Sequence, residues 1–249
     1  MNEVTQATRE QLGPTVLVSE VFGPTLQGEG PHAGQRVGFI RLGGCNLTCS
    51  WCDTPYTWDA SRFNLRDELG RAPIAEVAAT VKRMDVPRVV LSGGEPLLQD
   101  RQSYGLLCLL RMLNEQGVKI DVETNGTLVP SEDIIDTVDL FVVSPKLIHA
   151  GMLPAHTIRA EPLAVFARLA EAGRAVLKFV CKQPEDAHAA CAVSDKHGFA
   201  RNDVWIMPEG VTPISVAARA RPLAEEAVLL GMNFTTRLHI TLWGQERGR

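Results

Sequence analysis

"RVGFIRLGGCNLTCSWCD" occupies residues 36–53, and its two halves follow different rules. The first seven residues form a short apolar, β-branched run of strand length. The rest turns to glycine, asparagine and threonine around three cysteines, Cys45, Cys49 and Cys52. A strand that opens into a loop of unusual residues is the unit from which the rest of the chain is read.

The same unit recurs downstream. "RVVLS" (88–92) runs into "SGGEP" (92–96), "VKIDVET" (118–124) into "ETNG" (123–126), and "LFVVS" (140–144) into "SPK" (144–146). "AVLKFVC" (175–181) and "DVWIM" (203–207) are further strands, the latter leading to "MPEG" (207–210). Helical patterns lie between them. "PIAEVAATVKRM" (73–84) places Ile74, Val77, Ala78 and Val81 on one face behind Pro73. Further helices are expected over 99–116, ending at Gly117, and over 131–137, 161–173, 184–198 and 213–230. "FTTRLHI" (234–240) reads as a closing strand. Continuous apolar strands alternating with amphipathic helices predict a parallel sheet covered by helices. The expected fold is α/β, an incomplete, TIM-like barrel of about six βα units with parallel strands. Its active site belongs at the C-terminal ends of the strands. Residues 1–14 are expected to be a flexible tail and 15–249 a single domain, with 56–72, "YTWDASRFNLRDELGRA", an inserted loop.

Composition narrows the function classes. The 249 residues suit one sizeable core, with 45% apolar and 22% charged residues. A net charge of −4 offers no basic footprint for nucleic acid. The opening "MNEVTQATREQLGPT" has no apolar stretch of signal-peptide length, and "LLCLLRML" is interrupted by Arg111 and too short to span a bilayer. A cytoplasmic protein without a membrane partner is expected. In that reducing setting the cysteine cluster reads as metal binding, and Cys108, Cys181 and Cys191, scattered in apolar segments, as core residues.

Spacings of i, i+4 and i+7 put the three thiols on one side of a loop entering a helical turn. Three such ligands can hold zinc with an open fourth position, or three irons of a [4Fe–4S] cluster with the fourth iron free. Gly93 and Gly94 let backbone approach a ligand closely, Glu95 accepts hydrogen bonds, and Pro96 stiffens the exit. Glu123 and Asn125 offer a carboxylate and an amide to a polar ring or ribose. Lys146 can neutralise a carboxylate. His149, His156, His188, His197 and His239 lack metal spacing with the cysteines and read as surface or internally satisfied residues.

Taken together, Cys45-x3-Cys49-x2-Cys52, Trp51 and Gly93-Gly94-Glu95-Pro96 resemble the radical S-adenosylmethionine superfamily. The resemblance implies that the three cysteines hold a [4Fe–4S] cluster and that S-adenosylmethionine chelates the fourth iron. One-electron reduction then yields a 5′-deoxyadenosyl radical. A narrower resemblance rests on "TLQGEG", "FIRLGGCNLTCSWCDT", "SGGEP", "ETNG", "SPK" and a C-terminal "LW". It is to the 7-carboxy-7-deazaguanine synthase family. That family contracts 6-carboxy-5,6,7,8-tetrahydropterin to 7-carboxy-7-deazaguanine with release of ammonia and with Mg2+ present, in 7-deazapurine (queuosine-type) biosynthesis.

The resemblance implies roles by position. Trp51, Cys52, Asp53, Gly94, Ser144, Pro145 and Lys146 would contact S-adenosylmethionine, and Thr54 would ligate Mg2+, a cation that prefers hard oxygen ligands. Leu26, Gln27, Gly28, Ser92 and Glu123 would face the pterin, and Arg41 would pair with its carboxylate. It further implies a homodimer, with the final "HITLWG" strand a candidate interface, and an electron donor such as flavodoxin or ferredoxin. The competing readings are a glycyl-radical enzyme activase, which needs neither "LQGEG" nor a pterin-pairing arginine, and a small iron–sulfur or zinc binding module.

Overall fold

The computed structural model describes residues 13–101 and 104–249. The expected tail falls mostly within 1–12, outside the described residues. One sheet runs through the described chain: β1 (Thr15–Leu26), β2 (Arg36–Leu42), β3 (Gly70–Pro73), β4 (Arg88–Gly93), β5 (Lys119–Thr124), β6 (Leu140–Val143), β7 (Ala175–Cys181), β8 (Val204–Pro208) and β9 (Asn233–Phe234). Its order is β3-β1-β2-β4-β5-β6-β7-β8-β9. All pairings from β2–β4 to β8–β9 are parallel, while β1 pairs antiparallel with both β2 and β3. The sheet is open, so the expected incomplete barrel is what forms.

Strand alternation gives the sheet two different faces. One carries Ile40, Leu42, Val89, Leu91, Ile120, Val122, Phe141, Val143, Leu177, Phe179 and Ile206 into the main core, where the helices cover them. Helix Ile74–Met84, for instance, buries Ile74, Val77, Ala78 and Val81, the face expected from its spacing. The concave face carries a small apolar plug, Val37, Phe39 and Val90 with Phe22 against them. Phe22 and Phe39 stack with centroids 5.1 Å apart. The same face also bears Arg41, Ser92, Glu123 and Lys178, which alternation places together near the strand ends.

Three local expectations are corrected. The single helix over 99–116 is two, Pro96–Asp100 and Gly105–Glu115. Glu95 caps the first by accepting from Leu97 N, and Asp100 ends it by turning its carboxylate to Ser131 N and Oγ. Segment 56–72 is not simply an inserted loop. It contains a 3-10 turn, Pro55–Thr57, a short helix, Leu65–Glu68, capped by Asn64, and then β3, which forms the sheet edge against β1. The closing strand stops at Phe234. Thr235 and Arg237 are buried in alternation, but Leu238–Trp243 is helical. The period of two was real, yet its partner is the 27–30 loop: Leu238 N donates to Gly28 O at 2.9 Å and Gly30 N to Thr235 Oγ1 at 3.0 Å. "HITLWG" is accordingly mostly helical rather than a strand. The cysteine loop enters a helical turn as expected: Cys52 N closes a turn on Cys49 O, and the 3-10 turn Pro55–Thr57 follows.

Candidate active site at the strand ends

The cysteine loop is held from below by backbone. Gly94 N donates to Leu42 O at 3.0 Å and Glu95 N to Gly44 O at 2.8 Å. A Cβ on Gly94 would sit 1.9 Å from Gly44 O, and one on Gly93, at φ +124°, would sit 2.2 Å from Leu42 O. The paired glycines thus serve close approach of two strand-end loops. Glu95, fully buried, ties in the next loop by accepting from Thr124 Oγ1 at 2.8 Å and Asn125 N at 2.6 Å. Burial pushes its carboxyl up despite those donors. Asn125 Nδ2 donates to Asn46 Oδ1 and Asn46 Nδ2 to Thr127 Oγ1, returning to the cysteine loop.

Cys45, Cys49 and Cys52 are free and half-buried. Burial pushes Cys45 up to about 12 and raises Cys49, and each of the two thiols feels its cysteine neighbours. Thiols this hard to ionise alone suit coordination, because a bound cation reverses the balance. Among the described residues no three His, Cys, Asp or Glu side chains gather around a single-ion point. Three thiols within eight residues match the ligand number of a [4Fe–4S] cluster with one free iron. Beside them, the indole N–H of Trp51 is buried without a hydrogen-bond partner among the described residues, a donor left for a bound group. Lys146 Nζ stands 5.6 Å from the Trp51 ring centroid and donates to Ser144 Oγ at 2.8 Å. Pro145 lies between them, and Ser144 N is fixed by Thr124 O. His149 stacks against Trp51 with ring centroids 5.8 Å apart, and its Nδ1 lies 3.4 Å from Asp186 Oδ1. Thr54 precedes the 3-10 turn Pro55–Thr57 without capping it through its side chain; its Oγ1 donates to Gly93 O at 3.4 Å and lies 3.8 Å from Cys52 Sγ.

A second group gathers on the concave face. Ser92 pairs in register with Arg41, and its hydroxyl donates to Glu123 Oε2 at 2.9 Å. Gln27 Nε2 reaches Glu123 Oε1 at 3.4 Å. Arg41 Nε donates to Glu20 Oε1 at 3.1 Å, and its guanidinium lies over Phe22. Leu26 ends β1, and Gly28 is overlain by His239, whose ring would clash with any Cβ there.

Sequence reasoning missed the ionic cluster that joins these groups. Glu29 Oε2 accepts from Lys178 Nζ at 2.5 Å and Oε1 from Arg237 Nε at 3.0 Å. Lys178 also meets Glu123 at 3.3 Å, and Arg237 pairs with Asp53 and donates to Gly210 O. Lys178 and Arg237 are 4% and 6% exposed. Burial opposes the charge on Glu29, but Lys178, then Arg237 and His239, hold its carboxyl far below the usual range. Asp53 is likewise lowered, Arg237 overcoming its desolvation. Its side chain remains 42% exposed, so a ligand can still reach it. The one available signal was Lys178, a lone charge inside "AVLKFVC". Two surface hollows elsewhere, around Asn114 and Arg174 and around Ile158 and Ala192, include none of these residues.

Comparison with known proteins agrees with this arrangement. Residues 39–143 match the Radical SAM superfamily. The 7-carboxy-7-deazaguanine synthase of Pyrobaculum aerophilum is 36% identical over 237 residues, covering 95% of this chain and 98% of that protein. The enzyme of the same name from Halobacterium salinarum is 34% identical over 262 residues, covering 96% and 94%. The crystal structure of QueE from Escherichia coli superposes with a TM-score of 0.65 at 25% identity, covering 90% of this chain and 95% of that one.

Proposed function

The chain belongs to the 7-carboxy-7-deazaguanine synthase family within the radical S-adenosylmethionine superfamily, and from that premise we propose that it contracts 6-carboxy-5,6,7,8-tetrahydropterin to 7-carboxy-7-deazaguanine with release of ammonia. It is a radical enzyme of the lyase type with a [4Fe–4S] cluster and S-adenosylmethionine as cofactors, acting on a small molecule and needing a reductant. Cys45, Cys49 and Cys52 hold the cluster. When bound, cluster and S-adenosylmethionine supply a carbon-centred radical able to abstract hydrogen.

The chain's own residues bind and orient. Trp51, Cys52, Asp53, Gly94, Ser144, Pro145 and Lys146 form the S-adenosylmethionine side, with the unpartnered Trp51 N–H and the remaining N–H groups of Lys146 as its donors. Thr54 offers Mg2+ a hydroxyl oxygen, the remaining positions going to water and substrate. Leu26, Gln27, Gly28, Ser92 and Glu123 line the pterin side, where the Glu123 carboxylate and Gln27 amide suit the donor and acceptor edge of an aminopyrimidinone ring. The segment from Thr235 to His239 covers the 27–30 loop and keeps water from that side.

The observation that carries this reading is Arg41. Its side chain is 17% exposed, its Nε is spent on Glu20, and among the described residues neither terminal nitrogen has a partner. A half-buried guanidinium whose terminal nitrogens have no protein partner among the described residues suits an anion of carboxylate shape. The polypeptide acts as a single domain over 15–249, as a homodimer in the cytoplasm, with a flavodoxin or ferredoxin as donor. No described helix is long and apolar enough to cross a membrane. The test is anaerobic. Protein with reconstituted cluster is given reductant, S-adenosylmethionine, Mg2+ and 6-carboxytetrahydropterin, and 7-carboxy-7-deazaguanine is sought by mass spectrometry. Appearance of 5′-deoxyadenosine without that product rejects the substrate assignment.

A further inference from the structure

β1 begins as a strand whose even-numbered residues enter the main core: Val16 and Val18 are both buried there. Unbroken alternation would send Glu20 after them, opposite the fully buried Ile40, a costly place for a lone carboxylate. A register shift between Val18 and Glu20 prevents this. Val18 pairs with Leu42, but Glu20 pairs with Arg41. Beyond the shift Val21 takes the core side and Phe22 the concave side. One extra residue in β1 therefore moves a carboxylate out of the core and sets it beside Arg41. Bulges next to active sites commonly re-aim a side chain in this way.

Three segments then meet on one atom. Glu20 Oε1 accepts from Arg41 Nε at 3.1 Å and from the Tyr56 hydroxyl at 2.8 Å, and Arg247 Nε lies 3.6 Å away. Arg247 sits 3.7 Å from the Tyr56 ring centroid and donates to Glu68 Oε2 at 2.9 Å. Burial, with Glu20 acting in the same sense against Arg41, pushes the Tyr56 phenol up to about 12, so it stays a donor. Arg247 also pairs with Glu68, so the two arginines and two glutamates balance in charge, and Glu20 is held without tying up the terminal nitrogens of Arg41.

We propose that Glu20 is a positioning residue for the carboxylate-binding fork of Arg41, and that Tyr56 and Arg247 hold Glu20 for that task. The proposal rests on the reading of Arg41 as the receptor of the substrate carboxylate. Tethered at Nε and laid over Phe22, Arg41 loses rotation about its outer bonds, and its two terminal nitrogens are aimed before the ligand arrives. This gives segment 56–68 and the residues around Arg247 a role in substrate selection.

The test compares two ligands, 6-carboxytetrahydropterin and tetrahydropterin without the carboxylate, by equilibrium binding to reconstituted enzyme. The quantity read is the ratio of their affinities. Arg41→Ala should bring the ratio close to one. Glu20→Gln, which keeps the size of the side chain, should lower it about tenfold, the worth of a charge-assisted hydrogen bond. Tyr56→Phe and Arg247→Ala should lower it a few fold, and all three effects should vanish in an Arg41→Ala background. If Arg41→Ala removes the preference but Glu20→Gln and Tyr56→Phe leave it intact, or weaken both ligands equally, the positioning role is wrong and the Arg41 reading stands. If Arg41→Ala leaves the preference intact, the carboxylate reading itself falls and takes this inference with it. Should Glu20→Gln fail to fold, Tyr56→Phe decides between the same outcomes.

Discussion

Two buried glutamates at the same rim are held in opposite ways. Glu95 sits among neutral donors, Leu97 N, Thr124 Oγ1 and Asn125 N, and burial raises its carboxyl. Glu29 sits between Lys178 and Arg237, and those cations overcome the same desolvation and lower it. The first belongs to a lattice of backbone and amide bonds joining the loops after β2, β4 and β5. The second belongs to a chain of charges, Glu123–Lys178–Glu29–Arg237–Asp53, that draws β5, β7, the 27–30 loop, the C-terminal segment and the cysteine loop together. The amide and backbone bonds of the first fix backbone shape with little dependence on salt. Buried charges fix distant segments against one another, and each depends on its mates.

The largest expected effect is chemical. Cys49→Ala should abolish cluster assembly while the sheet stays folded, because the loop is held by Gly94, Glu95 and the Ser50 N to Ala150 O bond rather than by the thiol. Iron content after anaerobic reconstitution and far-ultraviolet circular dichroism check this together. Iron near the wild-type level would sink the ligand assignment.

Next is the ionic side. Lys178→Met leaves Glu123 without its cation and Glu29 with Arg237 alone, and should cost about 3–5 kcal/mol in chemical denaturation. A loss below about 1 kcal/mol would mean that water already screens the cluster. Glu29→Gln sharpens the contrast through pH. The folded carboxyl is lowered, so its contribution is whole above the ordinary glutamate range, about 4.3, and shrinks as pH falls below it. The stability gap between wild type and Glu29→Gln should therefore be widest near neutrality and narrow steadily below about pH 4, closing only well below the ordinary carboxylate range. A gap that widens on acidification would show that Glu29 is not held charged by its neighbours.

The same contrast explains what could be read in advance. The β-branched runs bounded by glycine and proline marked every parallel strand but the two-residue β9, and the cysteine spacing and paired glycines marked the neutral side, since its partners lie in short motifs. Glu29 meets Lys178 and Arg237 across 149 and 208 residues, separations that no local pattern encodes. Arg237 was hidden for a second reason. "FTTRLHI" has true strand alternation, but its buried residues face a loop instead of a ladder. Glu20 was hidden for a third, because a bulge reverses the side to which alternation assigns it.

The smallest effect tests the neutral side. Asn46→Ala removes two hydrogen bonds at once, to Thr127 Oγ1 at 2.8 Å and from Asn125 Nδ2 at 2.9 Å. Asn46 is exposed, so water can take up the freed groups, and the expected loss is about 0.5–1.5 kcal/mol. It should also be the same at pH 5 and pH 8, since none of the three residues titrates. The backbone bonds from Gly94 and Glu95 remain, so iron uptake should be retained. A loss comparable to that of Lys178→Met would mean that the loops after β2 and β5 hang on this amide. The neutral lattice would then be as brittle as the charged one, and the difference between the two sides would lie in their response to pH alone.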